Sequence, residues 1–342
     1  GYYFKAAEDY FGWFPLLVSD DAAGRFGHPF GQAVIDRHWS YNHEHPVLMK
    51  TLFGVSWGLL KQKFGLFALN SEAFRFPAWL FAGLSVALTY ALARSFVRPA
   101  FAVLASLMWL SMPRVFWHMH LACFDIPVAT AHLWLALAYW RWRHSVVGAV
   151  VVGLMFGLAA CVKHNVLVAP IFFLLHWMLF EARGWRWSAE GFRFPPIPLV
   201  FVAMALLGPL VFLLHWPYLW PDPLGRIGGY LSFHLHHEHY PILYFGELLT
   251  KPPFPWHFPF VMSAITIPLP HLCAMLAGVS LVVIHAGPVC EGGSSERDSS
   301  GWSLPDAADV DNLRTAVGLG SRTWMSSSVS ICANASSNSR AL

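Results

Sequence analysis

The chain of 342 residues is 56% hydrophobic and only 12% charged, about half the roughly 25% charged share of soluble domains, which excludes a water-soluble globule. Its net charge of +3, from 22 Lys+Arg against 19 Asp+Glu, is too small and too scattered to argue for nucleic acid as a partner. The five cysteines, Cys123, Cys161, Cys273, Cys290 and Cys332, are widely spaced and odd in number, and so propose neither a disulfide framework nor a CxxC metal site.

Stretches without Asp, Glu, Lys or Arg run over Phe76–Ala93, Ile126–Trp140, His144–Val162, Phe194–Pro221 and Pro252–Cys290. At about 1.5 Å per residue, about 20 such residues cross a ~30 Å hydrocarbon layer, so the pattern predicts an all-α, polytopic transmembrane helix bundle. Seventeen Trp and 28 Phe suit lipid-facing surfaces and aromatic interfaces.

In chain order, the polar segment 1–46 leads into 47–64, where Lys50, Gly54, Gly58 and Lys61 form one charged-or-small stripe on an apolar helix. That stripe predicts a helix lying in the membrane interface rather than an extra span. Spans are then expected near 75–96, 99–113, 126–141, 145–163, 165–181, 197–216 and 258–285. Arg94 and Arg98, Arg141 and Arg143, and Arg183, Arg186 and Arg193 fall in alternate connections, and the positive-inside rule makes that face cytoplasmic. The other connections hold Arg114, Lys163, Arg226 and Lys251, so the loop 217–257 and the segment 1–64 are expected on the opposite, periplasmic side. Three regions follow: 1–64, an external loop with an interfacial helix; 65–285, the transmembrane core; and 286–342. The last has 13 Ser over 291–342 and no apolar periodicity, which reads as a disordered tail, of a kind a shifted reading frame would produce.

The expected outer side collects the polar residues. Asp125 stands at the mouth of a span, where an acid is costly unless it is used or paired; the alternative is a cap for the helix beginning near Pro127. Lys163 ends an uncharged span and suits a phosphate or diphosphate head group, or it is a lysine snorkelling to the surface. His234, His236, His237, Glu238 and His239 resemble a metal site, with His236 and Glu238 its nearest ligands. Adjacent ligands rarely close a tetrahedron from one short segment, so a polar lid or a solvated loop is the preferred reading. No GxGxxG, P-loop or HExxH is present, and nucleotide hydrolysis and zincin proteolysis have no foothold.

Taken in order, several segments resemble those of the family 39 integral-membrane glycosyltransferases, which include the protein O-mannosyltransferases and the lipid A aminoarabinose transferases. Gly1–Ala7 resembles the continuation of that family's acidic, Tyr-rich motif, and Asn42–Lys50 its acid-x-Pro-Pro-Leu segment. Ser71–Pro77 resembles the Glu-x-x-Arg-Leu-Pro lead-in to a span, and Pro113–Pro127 the loop ending in Asp-x-Pro. Ala159–Pro170 resembles the segment with Lys before an apolar span, and Trp216–Trp220 the start of a large external loop. There are departures: His45 stands where aminoarabinose transferases have Lys, and Val47 replaces the second Pro.

The resemblance, over about 1–285, implies a GT-C type bundle in the bacterial inner membrane. It implies inverting transfer of a sugar from a polyprenyl-phosphate donor to a glycan, lipid or protein hydroxyl on the periplasmic face. Asp125 and Glu44 become the catalytic-site acids, and Tyr3, His45, Arg75 and Lys163 the phosphate-side groups; membrane lipids are the remaining partner. No cofactor is fixed, a divalent metal ion being the candidate. The family's main catalytic Asp would lie upstream of Gly1, so the chain as given is expected to be inactive. A transporter or flippase for a lipid-linked or anionic solute is the alternative; it should show paired, Gly/Pro-broken halves, and no internal repeat is visible. A non-catalytic assembly factor is a third reading.

Overall fold

The computed structural model describes residues 2–181, 186–188, 191–193, 196–236 and 240–285; the expected tail, 286–342, lies outside the described residues. Four helices precede the first long apolar one: α1 (Tyr2–Phe11), α2 (Phe14–Ala22), α3 (Gln32–Trp39) and α4 (Leu48–Val55), the last continued by a π-helical stretch over Ser56–Lys63. The bundle follows with α5 (Asn70–Ala93), α6 (Pro99–Ser111), α7 (Pro113–Met119), α8 (Asp125–Trp142) and α9 (Val146–Ala160). A 3-10 turn over His164–Val168 leads into α10 (Ala169–His176), which ends in a π-helical turn at Trp177–Glu181. A small antiparallel pair, β1 (Arg186–Ser188) with β2 (Gly191–Arg193), precedes α11 (Leu199–His215). The external loop holds α12 (Pro223–Leu235) and the hairpin β3 (Ile242–Tyr244) with β4 (Glu247–Leu249), and α13 (Phe258–Thr266) and α14 (Leu269–His285) close the described chain.

Local chemistry sets these boundaries. Proline occupies the first turn of α6, α7, α10, α12 and α13, where its missing N–H costs nothing and its fixed φ suits the helix. Glu72 reaches back to accept from the Leu69 N–H at the start of α5 (3.1 Å); Ser145 and Asp222 accept from the N–H groups of Gly148 and Gly225, capping α9 and α12. The β3–β4 hairpin turns through Phe245 (φ 49°) and Gly246 (φ 88°), the paired left-handed conformations of a type I′ turn.

Asn70–Ala93 and His164–Glu181 are long and apolar enough to cross a membrane. Two bent pairs qualify as joint units: Pro99–Ser111 with Pro113–Met119, bent by 73°, and Phe258–Thr266 with Leu269–Ser280, bent by 119°. Helical chain lies at each expected span, but α9 and α11 are shorter apolar helices, and the span placed over 258–285 is broken. Ile267 takes an extended conformation (ψ 128°) before Pro268, and Met112 does the same (ψ 119°) before Pro113, because proline disfavours the helical region for its predecessor.

The main core runs along α1, α4, α5, α8, α9 and α11. Helices α9 and α11 approach through small residues: a Cβ on Gly153 would stand 2.7 Å from the Ala203 carbonyl oxygen, and one on Gly157 2.5 Å from Val211 Cβ. Gly153 and Gly157 make a GxxxG spacing, the close-approach signature of helices in lipid. The same logic corrects the stripe on 47–64. Gly54 and Gly58 do not mark a polar face: a Cβ on Gly54 would meet the Ala7 carbonyl oxygen at 2.2 Å, and one on Gly58 the Phe11 ring. The stripe is the seat of α1, and Lys50 within it is fully buried.

A second, aromatic core of Tyr10, Trp13, Trp39, Trp216 and Tyr230 joins α1 and α3 to the external loop. The bundle thereby acquires two unlike ends. At one, Phe96 lies 4.9 Å from Trp140 and Arg143 pairs with Glu181 (2.5 Å), which brings together the ends of α5, α8 and the 164–181 helix and their arginine-bearing connections. At the other, the Leu48 N–H donates to Cys161 O (3.0 Å) and Lys163 meets Asp125.

Candidate functional site

This second end is assembled from four distant pieces of sequence. Asp125 is the first residue of α8, yet its side chain caps nothing: Phe124 is the N-cap residue and has no side-chain cap bond. The Asp125 carboxylate takes Lys163 Nζ on Oδ1 (3.1 Å) and His118 Nδ1 on Oδ2 (3.0 Å). Partial burial pushes its pKa up, but Lys163 and His118 outweigh that and hold it below the ordinary carboxylate value. The result is an anion committed to its partners and a weak proton acceptor. Lys163 has no other hydrogen-bond partner among the described residues, and an ammonium carries three donors. Asp125 and Lys163, read separately in the sequence, form one ion pair linking residues 38 positions apart.

Glu44 and His45 sit on the turn ahead of α4. Glu44 accepts from Asn42 Nδ2 (2.7 Å), and its carbonyl oxygen meets His234 Nε2 from α12 (3.0 Å). Asn42 holds a positive φ of 56°, a conformation asparagine tolerates better than most residues. The turn is fastened from below by Lys50, whose ammonium donates to Asn42 O (2.5 Å) and His45 O (2.9 Å) and lies 5.1 Å from the centre of the Tyr10 ring. Burial drives the Lys50 pKa down to about 7, partly offset by Glu44. Burial, and then the Lys50 charge, lowers His45 to about 4, so His45 is a neutral imidazole at ordinary pH.

Tyr3 connects the two halves. Its ring lies 4.4 Å from Phe124 and 6.1 Å from His45. Burial, then the charge of Asp125, raises its hydroxyl pKa, with Glu44 adding to the effect. His164 packs its ring 4.2 Å from His234, while its buried Nδ1 has no hydrogen-bond partner among the described residues. Tyr3, Glu44, His45, Asp125 and Lys163 are thus drawn to one end of the bundle. Arg75 is not joined to them: half-buried in the second turn of α5, its side chain forms no hydrogen bond or ion pair among the described residues.

Of the histidine run, His234 turns inward, and exposed His236 bonds through Nδ1 to the Ser232 carbonyl oxygen (2.9 Å). Glu238, its expected metal-binding companion, lies outside the described residues. Sequence reasoning passed over Lys50 as a fastening for the site. Its signal was a lysine on the glycine-bearing face of the helix, which is a buried position if that face is a packing face.

Residues 53–215 match the family model described as dolichyl-phosphate-mannose-protein mannosyltransferase. The matched stretch contains Arg75, Asp125 and Lys163 and leaves Tyr3, Glu44 and His45 ahead of it. No curated protein and no solved structure matches the chain.

Proposed function

We propose that the chain, which over residues 53–215 matches a dolichyl-phosphate-mannose-protein mannosyltransferase model, is a mannosyltransferase-like membrane glycosyltransferase of family 39, GT-C type, and that it handles a polyprenyl-phosphate sugar donor and a hydroxyl acceptor at the Lys163–Asp125 end of the bundle. The reaction is a single, inverting displacement. An acceptor hydroxyl, a glycan, lipid or protein group, attacks the anomeric carbon as the bond to the donor phosphate breaks; the proton passes to a carboxylate and the bonding pair leaves with the phosphate. Charge develops on the phosphate, and preorganised cations there lower the barrier.

The observation that carries this reading is Lys163, which Asp125 holds in place through one donor while the other N–H groups of its ammonium remain for phosphate oxygens. Neutral His45 and the Tyr3 hydroxyl supply uncharged donors beside it. Asp125, tied up by two partners, positions Lys163 rather than taking the acceptor's proton; Glu44 is the acid assigned to the acceptor side. The arginine-bearing connections at the opposite end support a cytoplasmic assignment for that end and a periplasmic one for the site, in a bacterial inner membrane.

Donor binding tests this without requiring turnover. Titrating purified, detergent-solubilised protein with a polyprenyl phosphate, and following tryptophan fluorescence, should show Lys163→Met binding at least about tenfold more weakly, as loss of a charge-assisted phosphate contact implies. The corresponding polyprenol, lacking phosphate, should not distinguish the two proteins. Equal phosphate affinity in wild type and variant would remove Lys163 from the site.

A further inference from the structure

His118 near the end of α7, Cys123 in the turn that follows and Asp125 at the start of α8 are brought together, with one ligand atom from each within 4.8 Å of the others. His118 Nδ1 stands 3.0 Å from Asp125 Oδ2 and 3.7 Å from Cys123 Sγ. We infer that these three side chains form a binding site for a divalent metal ion of borderline softness, of the zinc or cobalt class. Bonds of about 2.0 Å to nitrogen and oxygen and about 2.3 Å to sulfur, at tetrahedral angles, put ligand atoms about 3.3–3.6 Å apart. The two His118 spacings bracket those values, and the third pair lies within 4.8 Å.

The donor set selects the ion. One imidazole nitrogen, one thiolate and one carboxylate oxygen suit zinc and its neighbours, whereas magnesium and calcium take oxygen ligands. Metal binding takes the thiol proton and leaves imidazole Nδ1 as a lone-pair donor. Lys163 does not compete for the same atom, since it occupies Asp125 Oδ1 and leaves Oδ2 to the ion. All three side chains are partly accessible, which gives an ion a way in. Three protein ligands leave a fourth position for water or an anionic oxygen, the pattern of an open rather than a purely structural site. The local sequence shows why the cluster forms. Met119 ends α7, the chain turns through His120–Phe124, and Asp125 starts α8, so both helix ends face the same turn.

Cobalt substitution of the purified full chain tests the site independently of sugar transfer. Wild type should take up one equivalent of Co2+ with a thiolate-to-cobalt charge-transfer band in the near ultraviolet, and Zn2+ should displace it. Cys123→Ser should abolish the band and weaken zinc binding by roughly tenfold or more, and His118→Gln should weaken it similarly while leaving the thiolate available. Cys161→Ser and Cys273→Ser should leave the band intact. Thermal unfolding of each variant separates lost binding from lost folding, and His118→Gln keeps the test open if Cys123→Ser fails to fold. A band that survives Cys123→Ser, or zinc affinity unchanged in both variants, would overturn the assignment.

Discussion

Arg143 and Glu181 join α8 to the 164–181 helix at one end of the bundle with side chains 13% and 20% exposed, whereas Lys163 and Asp125 join the two helices' other ends with side chains 29% and 47% exposed. Both pairs tie the same two stretches of chain together. Arg143 is closely surrounded: it also donates to the Trp140 carbonyl oxygen, and its guanidinium lies over the Trp140 and Tyr139 rings at 4.8 and 5.5 Å. Lys163 has Asp125 alone among the described residues. A part-buried pair ringed by aromatic side chains holds helices; a more exposed pair is open to a ligand. The comparison shows that charge type and position in an apolar sequence do not separate these roles. Exposure and the surrounding rings do.

The largest effect expected at the site end comes from its foundation rather than from its charges. Gly54→Leu drives a side chain into the Ala7 backbone and should separate α1 from α4, at a cost of about 3 kcal/mol or more in unfolding free energy, above the usual overpacking range because backbone cannot yield as a side chain does. Donor binding should fall with it, since Tyr3 rides on α1. An unfolding midpoint equal to wild type would show that α1 is not seated there.

The two ion pairs should then part company. Arg143→Met should lower stability by roughly 2 kcal/mol, between the exposed and fully buried limits, with phosphate-donor affinity unchanged. Lys163→Met should cost less than about 1 kcal/mol and carry its loss in donor affinity instead. Chemical denaturation and donor titration on the same two variants check this, and a result with the roles reversed breaks the comparison.

A pH titration sharpens it further. Burial lowers Lys50 from 10.5 to about 7 and His45 from 6.5 to about 4. In each case the unfolded chain holds more protons between the two values. Stability should therefore rise with pH from about 4 to 6.5 through His45, and from about 7 to 10.5 through Lys50, and be lost as pH falls back through the same windows. Lys50→Met should flatten the upper window and, by removing the charge that helps lower His45, narrow the lower one. It should also strand the Asn42 and His45 carbonyl oxygens, costing roughly 2 kcal/mol at neutral pH. Thermal unfolding from pH 5 to 10 measures both.

The smallest perturbation asks only which face the site end occupies. In a background with native cysteines replaced by serine, Ser19→Cys and Gln62→Cys, both at exposed positions, should label together with an impermeant thiol reagent applied to intact cells. Labelling at Ser19 with shielding at Gln62 would make 47–64 a span and reverse the proposed topology.

The sequence by itself determined what depends on near neighbours. Charge-free stretches announced most of the apolar helices between α5 and α14, and arginines distinguished one set of connections from the other, while the breaks before Pro113 and Pro268 went unread. Asp125 and Lys163 were legible as charges at the mouths of apolar spans, and Tyr3, Glu44 and His45 as positions that the family resemblance pointed to. Only the tertiary structure decided their partners. Lys163 meets Asp125 across 38 positions and His234 reaches the Glu44 carbonyl across 190, contacts that no local periodicity encodes. It also left Arg75 out of the group and turned the stripe of Lys50, Gly54 and Gly58 from a wetted face into the seat of α1. The physical reason is common to these cases. A small or charged residue on an apolar helix is equally compatible with facing water and with a close helix approach that supplies its hydrogen bonds, and which of the two occurs is settled by the shape of the element that packs against it.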